Sequence, residues 1–130
     1  MAEVFEKFVG KMYGEIDTST QLQKQGNFGS LVLKPDIVTE HKIIDTKYKK
    51  VNSRSDLKRD DKYQMFVYGV NFKVKDTMLL YPKHLVTVDD DLELGKGDEL
   101  IRLKMRSLNL RFDGTFTMYI NTMKNRLEII

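Results

Sequence analysis

Apolar positions near the start of the chain recur at spacings of one, three and four residues. They are Val4, Phe5, Phe8, Val9 and Met12. Such spacing places them on one face of a helix, which we predict over residues 2–15. Residues 17–30 are polar and contain two glycines, so we predict a loop or a ragged first strand there.

Two apolar runs, residues 31–38 and 42–49, read as paired β-strands because they are rich in Leu, Ile and Val. Pro35 lacks an amide donor and indicates a sheet edge or a bulge. A second helix is predicted to begin near Asp60 or Asp61, whose carboxylates suit a helix N-terminus. Its buried side is predicted to comprise Tyr63, Met65, Phe66, Val67, Val70 and Phe72.

The remaining chain favours further strands. Residues 77–81 form a fully apolar short strand that Pro82 ends. Residues 83–99 are irregular and acidic, and residues 85–88 are a strand candidate among them. In residues 100–106, apolar side chains alternate with mostly basic ones. A turn at Asp113-Gly114 predicts a C-terminal β-hairpin with residues 115–121. The predicted class is α/β, a mixed β-sheet flanked by helices, with a right-handed parallel crossover over residues 42–81.

Composition narrows the function classes. At 130 residues the chain is most simply one domain, and the absence of cysteine excludes disulfides, thiolate zinc sites and a Cys nucleophile. Neither a membrane-spanning apolar run nor a secretory signal is present, so we expect a cytoplasmic protein without a membrane partner. The net charge of +3 indicates a mild preference for polyanions, and basic residues concentrate in residues 42–62.

The strongest chemical signal lies on the first strand pair. Asp36 and Asp45 are predicted to face each other, and Lys47 follows Asp45 on the same strand face. Of three Asp-x-Lys matches in the chain, only this one lies in an apolar strand. Two carboxylates and an ammonium group suit metal-dependent phosphodiester hydrolysis. A surface salt bridge, worth about 0–1 kcal/mol, explains the same spacing equally well.

Three segments together resemble the nuclease domain of the McrC family. They are residues 33–38, residues 43–49 and residues 61–68, and residues 4–9 add a weaker match. This family is the cleaving subunit of McrBC-type restriction systems, within the PD-(D/E)xK nuclease superfamily. The resemblance covers a motif-bearing core at residues 4–82 and implies a restriction-endonuclease-like fold, whereas residues 83–130 carry no matching motif.

The resemblance also implies site residues. Asp36, Asp45 and the carbonyl of Thr46 would ligate Mg²⁺, for which Mn²⁺ would substitute, because this ion prefers oxygen ligands. Lys47 would hold the attacking water and offset charge on the phosphate. Gln64 matches a supporting polar residue on the second helix, and we expect its side chain to contact Lys47 or a phosphate.

Further roles are expected nearby. Glu6 is a metal-linked carboxylate or a solvent-facing helix residue, and Tyr63 is core or catalytic, with core preferred. Lys49, Lys50 and Arg54 would contact DNA phosphates, which adds affinity but no sequence reading. Both histidines are expected to be ordinary surface residues.

The implied function is Mg²⁺-dependent cleavage of double-stranded DNA as the cutting part of a McrBC-like system. Its implied partner is a McrB-like GTP-hydrolysing motor, and cutting both strands favours a homodimer. Family members usually carry an additional N-terminal region that docks on the motor, whereas here the nuclease helix begins at residue 4. Two alternatives remain: a catalytically silent DNA-binding or assembly module of the same fold, and a related repair exonuclease.

Overall fold

Three α-helices and eight β-strands make up the computed structural model, which describes residues 1–130. The helices are α1 (Ala2–Ile16), α2 (Arg59–Phe72) and α3 (Phe116–Glu128). The strands are β1 (Gln21–Leu22), β2 (Gly26–Phe28), β3 (Leu31–Leu33), β4 (Ile37–Val38), β5 (Lys42–Thr46), β6 (Asp76–Pro82), β7 (Asp89–Leu94) and β8 (Ile101–Leu108). None of the helices combines the length and apolar character needed to cross a membrane.

Six strands form one mixed sheet in the order β1-β4-β5-β6-β8-β7, and β2 pairs with β3 in a separate hairpin. The central strands β5, β6 and β8 are parallel, whereas the outer pairings are antiparallel. Helix α2 connects β5 to β6, as the predicted strand–helix–strand unit requires. The prediction of a mixed sheet flanked by helices is confirmed.

The two faces of the sheet carry separate hydrophobic cores because strand residues alternate between them. On β5, Ile43 belongs to the core beneath α2, whereas Ile44 belongs to the core beneath α1 and α3. Leu79 and Leu80 of β6 divide in the same way. The layers of the protein are therefore helix, sheet and helix. The candidate site described below lies at the carboxyl ends of the parallel strands.

Helices α1 and α2 lie where the apolar periodicity predicts them. The buried positions of α2 are Asp61, Met65, Tyr68 and Gly69, a narrower face than expected. The expectation that Tyr63 is a core residue is wrong, since 62% of it is exposed. Tyr63 falls between the buried turns at 61 and 65, so its ring points away from the sheet.

The stretch predicted as one strand over residues 31–38 is two strands. Strand β3 ends at Leu33, and β4 begins only at Ile37. Pro35 lies in the break, where its missing amide donor interrupts the ladder. Asp36 consequently precedes β4 at a bend and is free of the strand's regular pleat.

The predicted C-terminal β-hairpin is wrong, because the segment after Asp113-Gly114 is helix α3. Thr115 caps this helix by accepting a hydrogen bond from the Met118 amide. Met123 and Leu127, four residues apart, are fully buried against the sheet. A helical period at these positions outweighed the hairpin signal of the Asp-Gly pair.

The acidic run also forms regular structure that the sequence did not predict. Residues 85–88 are not a strand, and β7 lies instead in the acidic segment. Its register on β8 places Asp89 opposite Arg106 and Asp91 opposite Lys104. Arg106 contacts the carboxylates of Asp89 and Asp91 at 3.1 and 2.7 Å. Opposite charges across the strand pair therefore stabilise this sheet edge.

Candidate active site at the end of the central strands

The predicted acidic pair is brought together by the antiparallel pairing of β4 and β5. Ile37 lies opposite Ile44, which places Asp36 beside Asp45. The Asp36 amide donates a hydrogen bond to Asp45 Oδ1 at 3.2 Å. Asp45 is only 5% exposed, so this pair lies at the inner wall of the site.

Thr46 fixes the Asp36 carboxylate. Asp36 Oδ2 accepts hydrogen bonds from the Thr46 amide and from the Thr46 hydroxyl, both at 2.8 Å. Thr46 and Asp45 point to opposite faces of β5, since neighbouring strand residues alternate. The Asp36 carboxylate therefore lies across the end of β5, with Oδ2 held by Thr46 and with the Glu6 carboxyl within hydrogen-bonding reach of the side chain.

Lys47 joins the acidic pair to helix α2. Its ammonium group lies 3.0 Å from Asp45 Oδ2 and donates a hydrogen bond to Gln64 Oε1 at 2.9 Å. The Gln64 amide in turn donates to the Tyr68 hydroxyl at 2.9 Å. The residues predicted as catalytic, namely Asp36, Asp45, Lys47 and Gln64, are thus connected by hydrogen bonds and one ion pair.

Asp61, in the first turn of α2, bridges two lysines. Its Oδ1 lies 3.5 Å from Lys47 Nζ, and its Oδ2 accepts a hydrogen bond from Lys49 Nζ at 2.8 Å. The Asp61 side chain is 12% exposed, so these contacts are largely shielded from water. Asp61 therefore adds a second carboxylate contact to Lys47, beside that of Asp45.

The buried carboxylates of the acidic pair resist ionisation. Burial raises the pKa of Asp45, and repulsion from Asp36 raises it further against the opposing effect of Lys47. Burial also raises the pKa of Asp36, where the hydrogen bonds from Thr46 oppose the shift and the nearby Glu6 carboxyl reinforces it. The surrounding protein therefore disfavours the ionisation of both carboxyl groups at once.

Lys47 and Asp61 show the opposite behaviour. Burial disfavours the charged form of Lys47, but Asp45 and Asp61 outweigh it, so the pKa of Lys47 is raised. Burial likewise disfavours ionised Asp61, but hydrogen bonding and attraction from Lys49 and Lys47 leave its pKa lowered. Lys47 is therefore an ammonium group at neutral pH, and it donates a hydrogen bond to Gln64.

Glu6 lies on α1 close to this cluster. Its carboxyl is near enough to Asp36 to raise the pKa of that residue, and Glu6 Oε2 accepts a hydrogen bond from Gln23 Nε2 at 2.6 Å. The backbone amide of Gln23 donates a hydrogen bond to the backbone carbonyl of Asp36 at 2.9 Å, which connects the loop after α1 to the site. Glu6 is thus partly buried and lies beside Asp36.

The predicted DNA-contacting residues divide into two groups. Lys49 and Lys50 follow the site directly, and Lys50 is exposed. Arg54 instead donates a hydrogen bond to the Asp91 carbonyl at 2.7 Å and lies 3.9 Å from Asp90 Oδ1. The guanidinium group of Arg54 is thus engaged by the acidic strand β7.

The donor set fits a hard divalent cation only in part. Two adjacent aspartates with raised pKa values suit Mg²⁺, which favours carboxylate, carbonyl and water oxygens. No group of three His, Cys, Asp or Glu side chains is arranged to hold a metal ion. An ion would therefore depend on Asp36, Asp45, a peptide carbonyl such as that of Thr46, and water.

Sequence reasoning missed two residues of the cluster, Asp61 and Tyr68. Burial raises the pKa of Tyr68 to about 12, and the charges of Asp45 and Asp36 add to the shift. Positions 61, 64 and 68 are three and four residues apart, so they lie on one face of α2. This stripe of polar residues beside Met65 was the sequence pattern that indicated the two residues. Asp61 was assigned to the N-terminus of the helix instead, because an aspartate suits that position as well.

Comparison with known proteins identifies relatives of the chain. Residues 1–82 match the family model described as "McrBC 5-methylcytosine restriction system component". No curated protein matches significantly. A solved structure, a refined half-complex from the tetradecameric assembly of Thermococcus gammatolerans McrB AAA+ hexamers with bound McrC, contains a similar chain at a TM-score of 0.66 and 18% identity. The match covers 100% of this chain but only 33% of that chain, and it shows a shared fold.

Proposed function

The chain belongs to the McrBC 5-methylcytosine restriction system component family, and on that premise we propose that it is a Mg²⁺-dependent DNA nuclease domain with a PD-(D/E)xK core. One observation carries the proposal: Asp36, Asp45, Lys47 and Gln64 form a single connected cluster at the end of β5. A surface salt bridge would not require the buried Asp45 or the partner on α2.

The roles of the chain's own residues follow from their contacts. Asp36 and Asp45, with the Thr46 carbonyl, would hold Mg²⁺, which when bound supplies positive charge that activates water and neutralises the phosphate. Lys47 donates hydrogen bonds to a phosphate oxygen, because its raised pKa keeps it protonated. Gln64 and Asp61 orient the Lys47 ammonium group from α2.

Nicking of supercoiled plasmid DNA tests this reaction. We expect Mg²⁺-dependent nicking by the natural chain, none in EDTA, and a loss of about 10²-fold or more in Lys47→Ala and Asp45→Asn. Lys58→Ala is the matched control, since Lys58 belongs to a second Asp-x-Lys sequence, is exposed and lies outside the cluster. Equal cleavage by Lys47→Ala and Lys58→Ala would refute the assignment.

Thermal unfolding tests the metal without depending on activity. A ligand that binds only the folded chain at 100 times its Kd adds about 2.7 kcal/mol to the free energy of unfolding. We expect Mg²⁺ to raise the Tm of the natural chain and to leave that of Asp36→Asn unchanged. An equal rise in both proteins would place the ion elsewhere.

A second candidate function is a catalytically silent DNA-binding or assembly module of the same fold. It is favoured by the occupation of Asp36 Oδ2 by two Thr46 donors and by the lack of three clustered metal-binding side chains. This module would bind DNA equally in EDTA and in Mg²⁺ and would yield no nicked product. The nicking assay therefore separates the two functions.

We also propose a McrB-like AAA+ motor as the partner of the chain. The support is the structural likeness to a chain from an assembly of McrB hexamers with bound McrC, together with family membership. Because the chain spans a third of that neighbour's length, docking to the motor is a separate question from catalysis. Co-elution of the chain with a McrB-type hexamer in size-exclusion chromatography tests it.

A further inference from the structure

A basic cleft of about 360 Å³ opens beside the candidate active site. One wall is the loop after β5, which contributes Tyr48, Lys49 and Lys50, and the other is the loop after β6, which contributes Lys83 and His84. Both loops follow the carboxyl ends of parallel strands, the edge at which open α/β sheets commonly bind ligands.

Hydrogen bonds hold the two walls in a fixed relation. The Asn52 side-chain oxygen accepts a hydrogen bond from the Leu85 amide at 3.1 Å, directly joining the loops. The Lys83 amide donates to the Leu108 carbonyl at 2.8 Å, and the Lys47 amide donates to the Leu80 carbonyl at 2.9 Å. The cleft is therefore part of the folded framework and not a gap between two independent loops.

No acidic residue lines the cleft. Lys50, Lys83 and His84 are exposed and take part in none of the ion pairs of the structure. Lys49, the fourth basic residue, contacts Asp61, which also contacts Lys47. The positive cleft is thus continuous with the candidate catalytic lysine.

Tyr48 adds an aromatic surface to the cleft. It is 46% exposed, and its ring lies against Phe5 with a centroid distance of 6.0 Å. An exposed ring held by a second ring is suited to packing against a nucleotide sugar or base. Cationic groups beside such a ring are typical of surfaces that follow a nucleic-acid backbone.

We propose that this cleft binds the DNA backbone next to the phosphodiester at the active site, with Lys50 and Lys83 as phosphate contacts from opposite walls. The proposal rests on the proposed DNA-cleaving function and extends it to Lys83 and His84, residues of a loop that the family motifs do not reach. Arg54 is not part of this surface, because Asp90 and Asp91 engage its guanidinium group.

The test is the salt dependence of binding to a fluorescently labelled DNA duplex, measured by anisotropy in EDTA so that no cleavage occurs. For each phosphate contact that is lost, the slope of log K against log salt falls by about 0.9. We expect each of the two substitutions in Lys50→Ala/Lys83→Ala to lower the slope by this amount. The control, Lys11→Ala/Lys96→Ala, removes the same charge at two exposed positions outside the cleft.

A slope in Lys50→Ala/Lys83→Ala that equals that of the control overturns the cleft, as does a natural chain that binds no DNA. Lys50→Gln/Lys83→Gln, which keeps the side-chain length, must reproduce the result of the alanine pair. A third outcome is that the natural chain binds DNA, the alanine pair shows the expected smaller slope, and the natural chain nicks no plasmid. This outcome would support the cleft and refute the nuclease function. The two proposals therefore fail separately.

Discussion

Replacing Asp61 by asparagine tests whether the link between helix α2 and Lys47 is a structural element of the site. The amide side chain would keep the shape of the carboxylate and one oxygen acceptor, but it would lose the negative charge shared by Lys47 and Lys49. The two contacts of 3.5 and 2.8 Å lie on a side chain that is only 12% exposed. We therefore expect a larger effect than for an exposed ion pair.

The magnitude follows from bounds on such contacts. At 4 Å, two unit charges attract by about 1 kcal/mol in water and about 4 kcal/mol at an effective dielectric constant of 20. Desolvation offsets much of this attraction. Hydrogen bonds to charged groups contribute about 1.5–3 kcal/mol net, so we expect Asp61→Asn to lose that amount beyond any loss at the helix terminus.

Asp60→Asn is the matched control. Asp60 lies in the same first turn of α2 but is exposed and contacts neither lysine. Its replacement removes only the interaction with the helix dipole, about 0.3–1 kcal/mol, which Asp61→Asn removes as well. The difference between the two variants therefore isolates the contacts with Lys47 and Lys49.

Urea unfolding followed by circular dichroism measures both variants, with an unchanged m-value as the sign of a common unfolding transition. A difference below about 0.5 kcal/mol, the scatter of ordinary surface substitutions, would refute the bridging role of Asp61. A second readout is the nicking assay, in which Asp61→Asn should cleave less than Asp60→Asn because it removes the charge of one of the two carboxylates that contact Lys47.

The remaining predictions concern the framework. The hydrogen bond from Arg102 at 2.6 Å lowers the pKa of Asp76. Ionised Asp76 therefore stabilises the fold at pH values above the ordinary carboxyl pKa, and this contribution is lost as pH falls through its pKa in the folded state. Urea unfolding should therefore show a difference between Asp76→Asn and the natural chain at neutral pH, and this difference should shrink as pH falls below the ordinary carboxyl range. A Cβ at Gly69 would lie 2.8 Å from Ile101 Cδ1, so Gly69→Ala should lose about 1–3 kcal/mol of unfolding free energy. A Cβ at Gly14 of α1 meets nothing within 4 Å, so Gly14→Ala should gain about 0.5–1 kcal/mol by the same measurement.

The acidic pair was predictable because its geometry is local. Asp36 directly precedes β4 and Asp45 lies within β5, so the direct pairing of these two short strands across one turn brings the two residues together. Lys47 follows from the strand period of two. The link from Lys47 to Gln64 crosses from the sheet to α2, and only the family resemblance pointed to it.

Residues joined across long sequence separations were not predictable in the same way. Asp91 belongs to an acidic run and Lys104 to a basic one, and in the sequence the two runs resemble separate solvated surfaces. Only the register of β7 on β8 shows that the two residues are paired. Lys50 and Lys83 are likewise far apart in the chain, and only the parallel pairing of β5 with β6 brings their loops together. Charge runs are ambiguous without the pairing of strands, because the same residues suit a loop or a strand edge.

The balance of charge connects the acidic pair with the basic cleft. With every group ionised, four carboxylates (Glu6, Asp36, Asp45 and Asp61) and two ammonium groups (Lys47 and Lys49) would give the cluster a formal charge of −2. A phosphodiester also carries negative charge, so the cluster alone would repel it at short range. One divalent cation would cancel this formal charge, and the cleft supplies further positive charge through Lys50 and Lys83, which form no ion pair with an acid. For the proposed function, a metal at the acidic pair and lysines in the cleft would therefore be complementary requirements for bringing a DNA phosphate to Lys47.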